Sequence, residues 1–282
     1  MAPLSLAHTE ETALSFTTQD EVIVGILGGV GPAAGLLLHQ IILNNTENEG
    51  TDQGHVDVCH LSCSQDVPDR TNFLLQRSSD KDLANPAEGM ARTLAMLGYA
   101  VQQRHSRAVA GVPCNTFHAP PIWSEFERLA KSQGTPVKLV HMLEETVRMI
   151  QSIDPNATKV GLMSTTGTRQ SKVYHDLLEP LGYQVVQVDE KTQTELHDTI
   201  YNATWGIKST APDITPRAVE NFNQYAICLA EQGAQVIIMG CTEIPFAFQG
   251  QDRIQSAILI DPMVALGRAL LRESNPTKLK PL

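Results

Sequence analysis

Two stretches decide the fold: AVAGVPCNTFHAP (108–120) and QVIIMGCTEIPFAF (235–248). Each is a short apolar run that ends in a Cys followed by polar residues, Asn115 and Thr116 in one case, Thr242 and Glu243 in the other. A brief run of branched apolar residues bounded by turn-formers marks a buried strand. The same parts surround both runs. Upstream, VIVGILGGVGPAAG (22–35) and TKVGLMSTTGTRQS (158–171) each lead an apolar strand into a small-residue turn and a helix. Downstream, VKLVHMLEETVRMI (137–150) and AILIDPMVALGRAL (257–270) each lead a strand into a final helix. The chain therefore reads as two similar halves.

The same reasoning predicts strands at 22–27, 56–61, 108–112, 137–140, 159–163, 235–239 and 257–260. Helices are predicted at 33–45, 86–104, 118–131, 143–152, 171–181, 192–201, 217–232 and 263–273, with 77–85 a loop. Such alternation defines an α/β protein built on parallel sheets. The expected fold is two pseudo-symmetric lobes, each a mostly parallel sheet flanked by helices, with the active site in the cleft between them. Open parallel sheets bind ligands outside the carboxyl ends of their strands. Facing lobes would thus bring Cys114 and Cys241 into one cleft.

The chain has 282 residues, 42% of them hydrophobic, enough core material for one large domain or two small ones. A formal net charge of −10 with no Lys/Arg run argues against nucleic-acid or anionic-membrane partners, which require a basic footprint. No apolar run approaches the roughly 18–20 residues that span a bilayer. Residues 1–21 carry Glu10, Glu11, Asp20 and Glu21 and no Lys or Arg. They match neither a secretory signal nor a transit peptide, and are expected to be a flexible extension. Five scattered cysteines (59, 63, 114, 228 and 241) argue against a disulfide scaffold and for a reducing compartment, the cytoplasm.

Cys114 and Cys241 each precede an expected helix start, whose free N–H groups favour anions and would lower a thiol pKa. With the Asn115, Thr116 and Thr242 side chains, those groups suit a carboxylate. A cysteine at a strand end also fits as a small buried hydrophobe, which is the reading for Cys59, Cys63 and Cys228. Cys59, His60 and Cys63 lack a second ligand pair, and a strand points Cys59 and His60 to opposite faces, so no metal site is expected. GGVGPAAG is similar to a dinucleotide fingerprint, but Pro32 occupies the turn and strand 56–61 does not end on an acidic residue for a ribose. A glycine-lined floor for a small substrate fits better. A cysteine hydrolase using His118 or His141 as base is the alternative chemistry. It leaves the second Cys element without a role.

Eight blocks carry a resemblance: GILGGVGPAA (25–34), VPDRT (67–71), PCNTFH (113–118), MLEET (142–146), TTGTRQSKVY (165–174), IY…IK (200–208), GCTEIP (240–245) and IDPM (260–263). In this order, covering essentially 22–273, the chain resembles the aspartate/glutamate racemase family. VPDRT with GGVGP is similar to the aspartate branch, whereas glutamate racemases carry His where this chain has Glu243. The resemblance implies a first lobe of 22–140 plus 262–282, a second lobe of 141–261, and a homodimer. It implies a small acidic amino acid as substrate, aspartate or also glutamate, and no cofactor, neither pyridoxal phosphate nor metal. Cys114 and Cys241 would exchange the α-proton. Asn115, Thr116 and Thr242 match carboxylate-binding positions, and Thr165 and Thr168 match positions near the amino or carboxylate group. The backbone of Gly29 and Val30 would line the pocket, and Glu243 joins the substrate-binding set. Arg70 matches the Arg that grips the side-chain carboxylate, a task suited to its bidentate fork. Lys208 matches a Lys of the same pocket. The chain departs from shorter members in its N-terminal extension, around 72–85, and between Tyr201 and Lys208. Alternatives on this scaffold are a broad-specificity racemase, another isomerase or hydrolase, or a carboxylate-binding protein without activity.

Overall fold

Short, mainly apolar runs form four strands, β1 (Val22–Gly28), β2 (Val58–Ser62), β3 (Arg107–Gly111) and β4 (Val137–Val140). They make an all-parallel sheet in the order β2-β1-β3-β4, with Val24 opposite Val58 on one side and Val109 on the other. The computed structural model describes residues 22–282; the expected extension at 1–21 lies outside the described residues. A second sheet contains β5 (Lys159–Ser164), β6 (Gln184–Val186), β7 (Val236–Gly240), β8 (Arg253–Ile254) and β9 (Ala257–Ile260). Its order is β6-β5-β7-β9-β8, parallel except for the β8–β9 pair. The fold is thus the expected one: two mostly parallel sheets flanked by helices. Strands β1 and β7 are buried almost throughout, as parallel strands covered on both faces must be.

The helices are α1 (Pro32–Asn45), α2 (Arg70–Gln76), α3 (Pro86–Gln103), α4 (Pro120–Gln133), α5 (Met142–Ile153), α6 (Thr166–Gln170), α7 (Val173–Leu178), α8 (Glu190–Tyr201), α9 (Ile207–Thr210), α10 (Pro216–Glu231) and α11 (Pro262–Ser274). The single helix expected at 171–181 is instead α7 followed by a 3-10 turn, and α6 precedes it. Lys172, with φ 54, interrupts helical geometry between α6 and α7. The helix expected from 118 begins only at Pro120, because Pro is well placed in a first turn but cannot donate within a helix.

The last helix packs on the first sheet. A Cβ at Gly111 of β3 would stand 2.6 Å from Leu266 of α11, and one at Gly267 would stand 2.8 Å from Ile41 of α1. Glycine at both positions lets α11 lie between α1 and β3. Helix α5 packs against α11 and α7. Its Met142, Leu143, Val147 and Ile150 join Val160 and Leu162 of β5 in one apolar core, which also takes in Val24 and Val109 of the first sheet. This core ties the two sheets together and leaves their carboxyl ends to form a cleft.

Candidate active site

Chain exit from β3 places the first thiol. Val112 and Pro113 carry the backbone past the sheet, and the Cys114 N–H donates to the Val112 carbonyl at 2.9 Å. Thr116–His118 then make a 3-10 turn rather than the start of an α-helix. His118 is fully buried; its Nδ1 donates to the Cys114 carbonyl (2.8 Å) and its Nε2 accepts the Met142 N–H (3.3 Å). Burial first, then His141, holds its pKa well below the ordinary value, so the ring is neutral. His141 caps α5, its Nδ1 accepting the Glu144 N–H. The first histidine has both ring nitrogens on backbone and the second serves a helix, so neither is placed as the base of a cysteine hydrolase.

The second thiol follows β7 directly. Cys241 donates its S–H to Glu243 Oε2 at 3.1 Å, and Glu243 Oε1 accepts from Lys208 Nζ at 2.8 Å. The expected lowering of a thiol pKa by helix N–H groups is reversed here. Burial and the Glu243 carboxylate push the Cys241 pKa up, and Lys208 only partly opposes them. The reason is local: Ile244–Phe248 is only a 3-10 segment, and its N-cap Glu243 backbone N–H lowers the thiol pKa less than burial and the Glu243 carboxylate raise it. Burial disfavours the Glu243 carboxylate, but Lys208 and hydrogen bonds from Cys241 and Thr242 outweigh it and hold its pKa low. Burial likewise works against the Lys208 ammonium, and Glu243 together with Cys241, Tyr201 and Cys114 outweighs it. The glycine turn after β1 accommodates this pair: Gly31 has φ 123, and a Cβ there would lie 2.6 Å from Glu243 Oε1.

Both thiols line one narrow cavity between the sheets. Arg70, Asn115 and Thr116 face it from the first half, and Thr165, Lys208 and Thr242 from the second. Gly240 and Tyr201 also line it and were not among the sequence-based candidates. Tyr201 ends α8, with its phenol 3.3 Å from Thr71 Oγ1 and its ring 5.8 Å from Lys208 Nζ; burial pushes its pKa up. Three expected residues stand behind the wall. Val30 accepts from Arg70 Nη2 through its carbonyl (3.2 Å), Thr168 bonds Thr116 (2.9 Å) and Thr165 (3.1 Å), and Glu243 holds Lys208 and Cys241. Thr116 and Thr165 are themselves 3.1 Å apart, so three hydroxyls close a triangle across the cleft.

Arg70 opens α2, whose N-cap Asp69 accepts the Asn72 N–H at 2.7 Å. Its side chain is buried and adjoins Cys114, and its Nε has no hydrogen-bond partner. Among the described residues no carboxylate lies within ion-pairing distance of Arg70. The two cations expected at the pocket therefore differ. Lys208 is in contact with a carboxylate, Glu243, whereas Asp69 acts on Arg70 only beyond ion-pairing distance.

A cleft between two mostly parallel sheets, with a thiol just past the end of a central strand of each, frames a small-ligand site. The family model for Asp/Glu/hydantoin racemases matches residues 27–270, and the chain belongs to that family. It is an isomerase of the racemase class. A broad-specificity amino-acid racemase of Bacillus subtilis is 24% identical over 88% of this chain and 96% of its own length. An aspartate racemase of Picrophilus torridus superposes with a TM-score of 0.68 at 22% identity, over 90% of this chain and 94% of its own. A glutamate racemase of Francisella tularensis, solved with D-glutamate, gives 0.57 at 16% identity over 94% and 84%. At these identities the structural matches speak for the fold alone.

Proposed function

We propose that the protein interconverts L- and D-aspartate, with glutamate as a further substrate, by proton transfer between Cys114 and Cys241. The observation that carries this reading is the pair of thiols on one cavity beside a buried Arg70 without a carboxylate partner among the described residues. Arg70 takes the distal carboxylate, because a desolvated guanidinium gains most from a bidentate anion. The Asn115, Thr116 and Thr242 side chains hold the α-carboxylate. In one direction the Cys114 thiolate forms an S–H bond as the substrate Cα–H bond breaks. The electron pair delocalises into the carboxylate, and the Cys241 S–H gives its proton to the opposite face. The reverse direction exchanges the roles. Polar donors aimed at the carboxylate stabilise the charge that develops there. The reaction as written needs no cofactor.

The lobes are assigned as 22–140 plus 262–282 and 141–261, and the working unit as a homodimer in the cytoplasm, whose reducing conditions suit catalytic thiols. Among the described residues no helix is long and apolar enough to cross a membrane. The test is incubation with L-aspartate in D₂O, followed by measurement of α-deuterium and chirality. Deuterated D-aspartate is the expected product. If α-deuteration is absent with aspartate, glutamate and a panel of neutral amino acids, the racemase reading fails. If neutral amino acids react as fast as aspartate, the role given to Arg70 fails.

A further inference from the structure

Asn115 sits where an Asn ordinarily caps a helical turn, yet its side chain makes no capping bond. Its Oδ1 is engaged elsewhere: the Tyr174 hydroxyl donates to it at 2.6 Å. That separation suits a tyrosine O–H donating to the amide oxygen, which turns the NH₂ the other way. The Nδ2 group is left buried without a hydrogen-bond partner, in a residue that lines the cavity between Cys114 and Thr116. A buried NH₂ without an acceptor is costly, and an anion in the cavity would satisfy it. Tyr174 is fully buried on α7, beside Thr146, whose own hydroxyl donates to the Met142 carbonyl. The bond therefore joins a residue of the second half to the turn that carries Cys114.

We propose that Tyr174 is a positioning residue: it locks the Asn115 amide with its NH₂ toward the cavity, as a donor to the α-carboxylate of an amino-acid substrate. This rests on the substrate class proposed above. Without the lock the amide is free to rotate and present its oxygen to the carboxylate. Tyr174 touches no substrate, and its effect passes through Asn115.

The test is a double-mutant cycle on L-aspartate binding, measured by calorimetry with Tyr174→Phe, Asn115→Ala and the double variant. Each single substitution is expected to weaken binding about tenfold, the scale of one hydrogen bond to a charged group. The double variant should be no weaker than Asn115→Ala, because the tyrosine has nothing left to orient. Additive losses, or unchanged binding in Tyr174→Phe, would overturn the proposal. A second measurement uses the unaltered chain: the side-chain NH₂ signals that Asn115→Ala removes from the ¹⁵N spectrum should shift on titration with L-aspartate, and their failure to shift would overturn it as well. Binding without α-deuteration would sink the racemase reading and leave this cycle to be judged on its own result. Deuteration with an additive cycle would sink the role of Tyr174 alone. Absence of L-aspartate binding to the unaltered chain would sink both.

Discussion

The turns that carry Cys114 and Cys241 are related in the backbone and opposite in charge. Each leaves the end of a parallel strand and enters a 3-10 turn. Beside Cys114 stands a guanidinium, Arg70, and the turn is pinned by neutral His118 on the Cys114 carbonyl. Beside Cys241 stands a carboxylate, Glu243, accepting its S–H. A repeated backbone therefore brings a thiol to the cavity from each half, while neighbouring side chains set a different charge beside each sulfur. A cation favours thiolate and an adjacent carboxylate favours thiol. Burial and the Glu243 carboxylate thus favour the protonated form of Cys241.

The strongest way to break this comparison is to remove each sulfur's chemistry in turn. Cys114→Ser and Cys241→Ser should each lower two-way racemisation by about 10²–10⁴-fold, the range attributed to one positioned acid or base. Loss of α-deuteration of only one enantiomer in each variant would show which face each thiol serves. Near-full activity in either variant would end the two-base assignment. Next in size is Arg70→Gln, expected to raise the KM for aspartate about a hundredfold, as loss of a charged hydrogen-bond pair does. Equal losses for aspartate and a neutral amino acid would mean that Arg70 supports the Cys114 turn and does not select substrate.

Most of the backbone half of this contrast was legible in sequence. The runs ending at Cys114 and Cys241 are dense in Val, Ile and Ala, and burial on both faces leaves no polar alternation to confuse them. The short elements were not legible. β6 and β8 have three and two residues, and α2 has seven, too few for a period to register. β6 and β8 are also edge strands, held by their neighbours more than by their own composition. The charged half was legible only as residue types. Arg70 and Lys208 stood out as cations, but nothing local predicts that Glu243, 35 positions from Lys208, neutralises one and leaves the other. Tyr201 could not be read as a wall of the cavity for the same reason: α8 delivers it there by tertiary packing alone.

The charge contrast itself can be sharpened with Glu243→Gln. Removing the carboxylate takes away a group that raises the Cys241 pKa and frees Lys208, which lowers it. Both changes act in the same direction, so alkylation of Cys241 should begin at lower pH. The measurement is peptide mass spectrometry in a Cys114→Ser background. At fixed pH, a thiol pKa lower by about one would make about ten times more thiolate and speed the reaction accordingly. A slower reaction would mean that Glu243 activates this sulfur instead of keeping it protonated.

The smallest effect concerns stability. The folded-state pKa of His118 lies well below its ordinary 6.5, and burial of His141 lowers its pKa to about 4. The unfolded chain therefore takes up protons first, so stability is full above pH 6.5 and is lost as pH falls from there toward the folded-state values. Each ring contributes at most about 1.4 kcal/mol per pH unit in that window. Glu243, whose folded-state pKa lies below 4.5, gives stability that is lost only as pH falls below that ordinary value. Denaturant melts from pH 7.5 to 4 should show a slope that flattens in His118→Gln. Glutamine can occupy both backbone positions without titrating. An unchanged slope in that variant would mean that His118 is not the neutral pin of the turn, and that the Cys114 backbone is held by the sheet alone.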